Sequence, residues 1–190
     1  MKSLIKLLAP LGFLLRRKRA DPAHSIANAP ELAGDGPALE LTSSSFADKG
    51  TIPRRHATMD LGPNTSPALA WSDPPPGTAR MLLIMEDTDT PTAKPMRHMV
   101  AFFDPGPTGI DEGELTPSEP RFTYLRMLGG RTGYQGPRPL PGHGVHHYGF
   151  HLYALDEAPA LEADSRVEDV LPRLDGHVVA AGHLEGVMRG

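Results

Sequence analysis

Apolar and polar positions along this chain follow the period of a strand far more often than that of a helix. Residues 38–43 (ALELTS) alternate and predict a first strand. Residues 44–66 are polar, broken by Gly50, Pro53, Gly62 and Pro63, and read as a long loop. Ala68–Trp71 predicts a short strand running into the turn Asp73-Pro74-Pro75-Pro76-Gly77. Arg80–Glu86 and Arg97–Phe103 are short, nearly continuous apolar runs, the signature of strands covered on both faces. His147–Leu155 alternates cleanly, with His147, Gly149, His151 and Tyr153 on one face and Tyr148, Phe150 and Leu152 on the other. His177–Met188 reads as the last strand. Between 104 and 142 lie eight of the 20 glycines and many prolines, and no regular element of any length is expected there. A loop of that length is either functional or disordered. A short helix is expected over about 166–174, capped by Asp164 or Ser165, bent at Pro172 and ended by Gly176. Repeats and heptads are absent. The pattern as a whole predicts a mainly β domain with one or two short helices near the C-terminus.

Composition sharpens that picture. Proline and glycine together are 41 of the 190 residues, about twice their usual share, which fits strands joined by turns and long loops rather than a helical bundle. With no cysteine, disulfides, thiolate metal sites and a cysteine nucleophile are all excluded. The net charge of −4 hides a division: residues 1–20 carry +6 and no acid, and the other 170 carry −10. The acidic body should repel nucleic acid, so no nucleic-acid partner is expected. Only the N-terminal arm attracts anionic surfaces.

In that arm, residues 4–15 (LIKLLAPLGFLL) are mostly apolar and are followed by Arg16-Arg17-Lys18-Arg19. The run is too short to span a bilayer, which takes about 20 residues. Three readings stay open: an interfacial membrane anchor, an export signal, and a plain extension. Pro10 and Gly12 weaken any helix here. Residues 21–37 read as a linker, and 38–190 as the domain. A cytoplasmic location, peripheral to a membrane through residues 1–20, is expected, with export to the periplasm left open.

Three clusters carry candidate chemistry. Glu86-Asp87-Thr88-Asp89-Thr90-Pro91 ends a strand; such acids commonly cap a turn, and they can also orient a histidine or bind a metal. His98 lies inside a strand, where a lone histidine is more often a core residue than a ligand. The stiff loop 134–148 brings His143, His146 and His147 close together in sequence. Metal binding by His143, His146, His147, His151 and Asp87 or Asp89 has plausible ligand types, but His146 and His147 point to opposite faces of a strand. A small anion pocket of imidazoles, a carboxylate and backbone N–H groups fits equally. A serine hydrolase fits less well, since no Gly-x-Ser-x-Gly elbow occurs.

Taken in order, these clusters resemble the phosphatidylethanolamine-binding protein family, also called Raf-kinase-inhibitor-like proteins, and its bacterial branch in particular. The residues that carry the resemblance are Gly62-Pro63-Asn64-Thr65-Ser66-Pro67-Ala68-Leu69-Ala70-Trp71, Asp87-Thr88-Asp89-Thr90-Pro91, His98, Gly133-Tyr134-Gln135-Gly136-Pro137, Gly142-His143-Gly144-Val145-His146-His147-Tyr148, Leu152-Tyr153-Ala154-Leu155 and Gly176-His177-Val178-Val179-Ala180. The resemblance implies an antiparallel β-sandwich with a small surface pocket for phosphate-like groups and phospholipid head groups. Its pocket positions match Asp87, His98, Gly136, Pro137, His146 and Tyr148, with Asp89 and Pro91 in the structural part of the acidic turn. It implies no cofactor, no catalytic residues and no metal. Regulation of a protein partner and a homodimer are further options it leaves open.

On this reading Asp87 accepts from His98 or His146 and stabilises an imidazolium that faces the anion. Gly136 adds an N–H, Pro137 fixes a wall, and Tyr148 supplies a ring or a hydroxyl. Four residues depart from the family pattern. Thr88 replaces a proline, which should loosen the acidic turn, and Met99 replaces a tryptophan. His147 replaces an arginine, removing a permanent cation, while Arg138 could restore one at the rim. The alternative function is a metal-assisted or His/Asp acid–base hydrolase.

Overall fold

The computed structural model describes residues 7–190 apart from 59 and 163, and at Leu128 the backbone alone. The first part of the N-terminal arm therefore lies outside the described residues.

Among the described residues eight strands form in chain order: β1 (Gly50–Thr51), β2 (Leu69–Ala70), β3 (Arg80–Asp87), β4 (Met96–Phe103), β5 (Gly109–Ile110), β6 (Thr123–Tyr124), β7 (Val145–Leu155) and β8 (Val178–Arg189). Six make one mixed sheet in the order β1-β8-β7-β3-β4-β6, and β2 pairs with β5 in a second, small one. Every pairing is antiparallel except β1 with β8 at the edge. The long strands are those whose apolar runs announced them. β3 is central, and seven of its eight residues are buried, because both faces of the sheet are covered.

On one face, Met81, Leu83, Met85, Met99, Ala101, Phe103, Tyr148, Phe150 and Leu152 pack with Leu69, Trp71 and Ile110 of the small sheet. On the other, Leu82, Ile84, Val100, Phe102, Tyr153 and Leu155 pack beneath Ile26, Leu32, Val167, Val170 and Leu174. The alternation expected across 147–155 is thus the partition between these two cores.

Some elements differ from expectation. Residues 38–43 form no ladder. Ala38 bridges to Ala181 of β8 and Thr42 to Ala70 of β2, so this segment crosses between the sheets while Leu39 and Leu41 stay in the core. The loop 104–142 does hold two regular pieces, β5 and β6, each two residues long. Helix α2 (Val167–Val170) continues into a 3-10 turn at Leu171–Arg173, but its N-cap is Arg166, without a side-chain cap. Ser165 instead turns its hydroxyl back to the N–H of Glu162, at 2.8 Å.

The segment expected as a linker is packed down. Residues 22–32 form three 3-10 turns, and both Ile26 and Leu32 are buried. Buried Glu86 holds them, accepting from the Ser25 hydroxyl and from the N–H of Ile26 at 3.1 Å. A helix, α1 (Ala9–Leu15), forms in the arm despite Pro10 and Gly12. Pro10 stands in the first turn, where its missing N–H is no loss. Gly12 is buried because the backbone of another segment approaches it. A Cβ there would lie 1.9 Å from the carbonyl oxygen of Pro141. Among the described residues no helix is long and apolar enough to cross a membrane.

Candidate functional site

The register of the central strands brings the acidic turn beside the histidine loop. Asp87 ends β3 opposite Tyr148 of β7, and β3 also pairs with β4, which carries His98. Asp87, His98, His146 and Tyr148 are all buried, none more than 6% exposed. Gly136 and Pro137 are buried beside them. The ring of His98 meets that of Tyr148 edge-on, 5.4 Å between centroids, and His146 stacks with Tyr148 at 6.4 Å.

Both oxygens of Asp87 are engaged. Oδ2 accepts from His146 Nδ1 at 2.8 Å, and Oδ1 accepts from the N–H of Asp89 at 2.9 Å. Nε2 of His146 then faces Nδ1 of His143 at 2.9 Å. The far nitrogen of His143 meets two groups of the arm, the Lys18 carbonyl at 3.0 Å and the Arg19 guanidinium at 3.1 Å. Counting hydrogens gives two consistent protonation levels of this relay. With both rings neutral, Arg19 donates to His143, His143 to His146, and His146 to Asp87. With one more proton, either His146 is an imidazolium donating at both nitrogens while His143 donates to Lys18, or His143 donates at both nitrogens while His146 still donates to Asp87. The arm is therefore a member of the relay, and His143 is its middle link. The sequence places His143 in the histidine loop and among the candidate metal ligands, but not among the residues expected to line the pocket.

His98 corrects an expectation. Its Nδ1–H donates to the carbonyl of Gln135 at 2.8 Å, and Nε2 has no partner among the described residues. Burial holds its pKa below the usual value, outweighing the pull of Asp87. The ring is thus neutral near pH 7 and offers an acceptor rather than an imidazolium. The hydroxyl of Tyr148 likewise makes no hydrogen bond of good geometry among the described residues, and burial, with the Asp87 carboxylate close by, pushes its pKa up, so it stays a donor. The expected donor at Gly136 is already spent, since its N–H donates to Asn64 Oδ1 at 2.7 Å. Asn64 Nδ2 in turn donates to the Tyr134 carbonyl at 3.0 Å. Asn64 adopts a left-handed conformation, φ 62°, which asparagine tolerates better than most residues, and so fixes the loop 134–137. Its role was not read from the sequence, although it lies within the motif at 62–71.

The four departures from the family pattern also find places. Thr88 donates its backbone N–H to the His147 carbonyl at 3.2 Å, a bond that proline could not make, so the turn is tied to β7 rather than loosened. Met99 is wholly buried in the core. His147 turns to Asp89, 2.6 Å from Nδ1 to Oδ2. Arg138 is paired with Asp60 at 2.7 Å and supplies no unpaired cation to the rim. Asp89 also bonds Arg19, 2.6 Å from Oδ1 to Nε. Burial would raise the Asp89 pKa, but the bonds from His147, and then Arg19, hold it low.

Among the described residues no three histidine, aspartate or glutamate side chains converge as a metal-ligand set. A cavity of about 710 Å³ bordered by Lys94, Arg97, Arg126 and Arg166 touches none of the relay residues, and its floor includes Val100 of the second core. The residues expected to line a surface pocket are buried, and Lys18 and Arg19 of the arm meet His143 and Asp89 next to them.

Residues 42–189 match the family model described as phosphatidylethanolamine-binding protein. A UPF0098 protein of Methanothermobacter thermautotrophicus is 41% identical over 157 residues, spanning 80% of this chain and 99% of its own. The structure of CT736 from Chlamydia trachomatis, a homologue in that family, superposes with a TM-score of 0.71 at 28% identity, covering 82% of this chain and 99% of the other. YbcL of E. coli gives the same TM-score at 24% identity, over 78% of this chain and 96% of its own, and shares the fold.

Proposed function

The chain belongs to the phosphatidylethanolamine-binding protein family, and from that premise we propose that it is a non-enzymatic binding protein whose buried site takes a small oxyanion, either free phosphate or the phosphate of a phospholipid head group. The observation that carries this reading is that two neighbouring buried rings each keep a polar atom without a hydrogen-bond partner among the described residues, Nε2 of His98 and the hydroxyl of Tyr148. Buried polar groups are nearly always satisfied, and such a pair calls for one ligand that both donates and accepts. Monohydrogen phosphate does so, its P–OH donating to His98 and a charged oxygen accepting from Tyr148; in a phosphoethanolamine head group the phosphodiester accepts from Tyr148 and the ammonium, rather than the phosphate, donates to His98. The His146–Asp87 pair supplies a second polar wall. Tyr148 is held protonated and both oxygens of Asp87 are occupied, so neither is poised as a nucleophile. Contact with a lipid surface through residues 1–20 and regulation of a partner protein are compatible with this role.

The test is calorimetric titration of the full chain with inorganic phosphate, in the wild type and in Tyr148→Phe. Loss of one hydrogen bond to a charged oxygen should weaken binding by roughly tenfold or more. Folding should be unharmed, because the hydroxyl has no partner to lose. Equal affinity in the two proteins would remove Tyr148 from the site, and no binding in either would refute the pocket.

A further inference from the structure

Helix α1 presents its hydrophobicity to solvent. Its small residues face inward, with Gly12 against Pro141 and Ala9 against Gly142. Its large ones turn outward, Leu14 78% exposed and Leu11 and Phe13 also exposed, and so do Leu7 (72%) and Leu8 just before it. These are five of the six exposed large hydrophobic residues among the described residues. Arg16, Arg17 and Lys18 follow, also exposed. An apolar helix face with a cationic end matches an anionic lipid surface, whereas the acidic body does not.

The same arm closes the site. Arg19 is latched to Asp89, and the Lys18 carbonyl and Arg19 meet His143, at the end of the relay that reaches Asp87. His143, which the arm meets, and His146 behind it are almost fully buried, so exposing this end of the site needs the arm to move. We propose that the N-terminal helix docks on an anionic lipid bilayer and that docking lifts it, with Arg19, off the site, so that a lipid surface opens the pocket. Lipid phosphates compete with Asp89 for the Arg19 guanidinium, and the outward leucines and phenylalanine gain a burial that the seat on residues 140–143 never gave them. The consequence for ligand binding rests on the anion-pocket reading; docking and opening do not.

The experiment uses the full chain with phosphatidylcholine vesicles, pure or with about a third phosphatidylglycerol. At roughly fivefold per exposed cation, Arg16, Arg17 and Lys18 should strengthen binding to the anionic vesicles about a hundredfold. Phe13→Glu combined with Leu14→Glu changes only exposed side chains and should abolish it. Opening is read as the rate at which diethyl pyrocarbonate modifies His143 and His146, followed by mass spectrometry. The rate should be low in the free protein and rise severalfold with anionic vesicles. It should rise without vesicles in Gly12→Val, whose side chain cannot fit against Pro141. Absence of vesicle binding, or binding indifferent to the two glutamates, would overturn docking. Binding with unchanged histidine reactivity would overturn opening, and so would an unreactive Gly12→Val. Reactive histidines in Gly12→Val without any phosphate binding would refute the anion-pocket reading alone and leave lipid docking and opening supported.

Discussion

Replacing Asp87 separates two consequences of the relay, its contribution to stability and its control of ring tautomers. In Asp87→Ala, two donors lose their acceptors at once, Nδ1–H of His146 and the N–H of Asp89. A buried donor without a partner costs about 1–3 kcal/mol. His146 is almost fully buried and bears the whole penalty. Asp89 is only partly buried and recovers some hydration. The expected loss is therefore about 2–4 kcal/mol, read from urea unfolding as a shift in midpoint at unchanged slope.

Asp87→Asn keeps the shape and changes the hydrogens. Its one carbonyl oxygen is claimed by the N–H of Asp89, which has no alternative tautomer. Its amide then donates toward His146 Nδ1, which must give up its hydrogen. The hydrogen moves to Nε2 and points at His143 Nδ1, 2.9 Å away, and His143 in turn donates to the Lys18 carbonyl at 3.0 Å. The expected cost is only about 1 kcal/mol, the difference between a charge-assisted and a neutral hydrogen bond. The decisive readout is nitrogen NMR of the imidazoles. His146 should carry hydrogen on Nδ1 in the wild type and lack it there in the asparagine variant. If Asp87→Ala costs less than about 1 kcal/mol, or if Asp87→Asn leaves the hydrogen on Nδ1, the relay does not hold the site and the reasoning fails.

Acidification should destabilise the protein from about pH 6.5 downward. The buried ring of His98 resists the proton that its unfolded counterpart binds, so the unfolded state gains protons first, at up to about 1.4 kcal/mol per pH unit. His56, His143 and His183 are lowered as well and act in the same sense, while exposed His177 is raised and acts weakly against them. The melting temperature should therefore be lower at pH 5.5 than at pH 7.5, and a higher value would contradict the neutral, buried state of these rings. Gly136→Ala should cost about 1–3 kcal/mol, since its Cβ would fall 2.0 Å from the His56 carbonyl oxygen and force the loop outward; unchanged thermal unfolding would show that the loop yields freely. Arg138→Ala should leave phosphate affinity within about twofold, because the guanidinium is already paired with Asp60. A tenfold loss by calorimetry would place Arg138 in the site after all.

The long strands were legible in the sequence because their signal is local. An apolar run such as 81–85 has no exposed face to serve, and the alternation at 147–155 is itself the division between two cores. Where a segment's partners change along its length, the same signal misleads. Residues 38–43 alternate as a strand should, but one end meets β8 and the other β2, so no ladder can form. Helix α1 was discounted for a related reason. Propensity counts Gly12 as a weakness, yet Gly12 is the point at which Pro141 approaches, a contact made between residues more than a hundred positions apart.

The site divides along the same line. Which residues gather was legible, because the family motifs keep their order and the pairing of β3 with β7 sets Asp87 beside Tyr148. Which of their atoms are free was not, because that depends on competitors elsewhere in the chain. Asn64 takes the N–H of Gly136, Gln135 takes the hydrogen of His98, Asp60 takes Arg138, and Arg19 reaches Asp89 from the arm. A polar residue's chemistry is what its neighbours leave over, and here the remainder is one acceptor on His98 and one donor on Tyr148. Under the proposed anion-binding role, that remainder asks for a ligand able to both give and accept a hydrogen, a narrower requirement than the charged imidazoles that the sequence suggested.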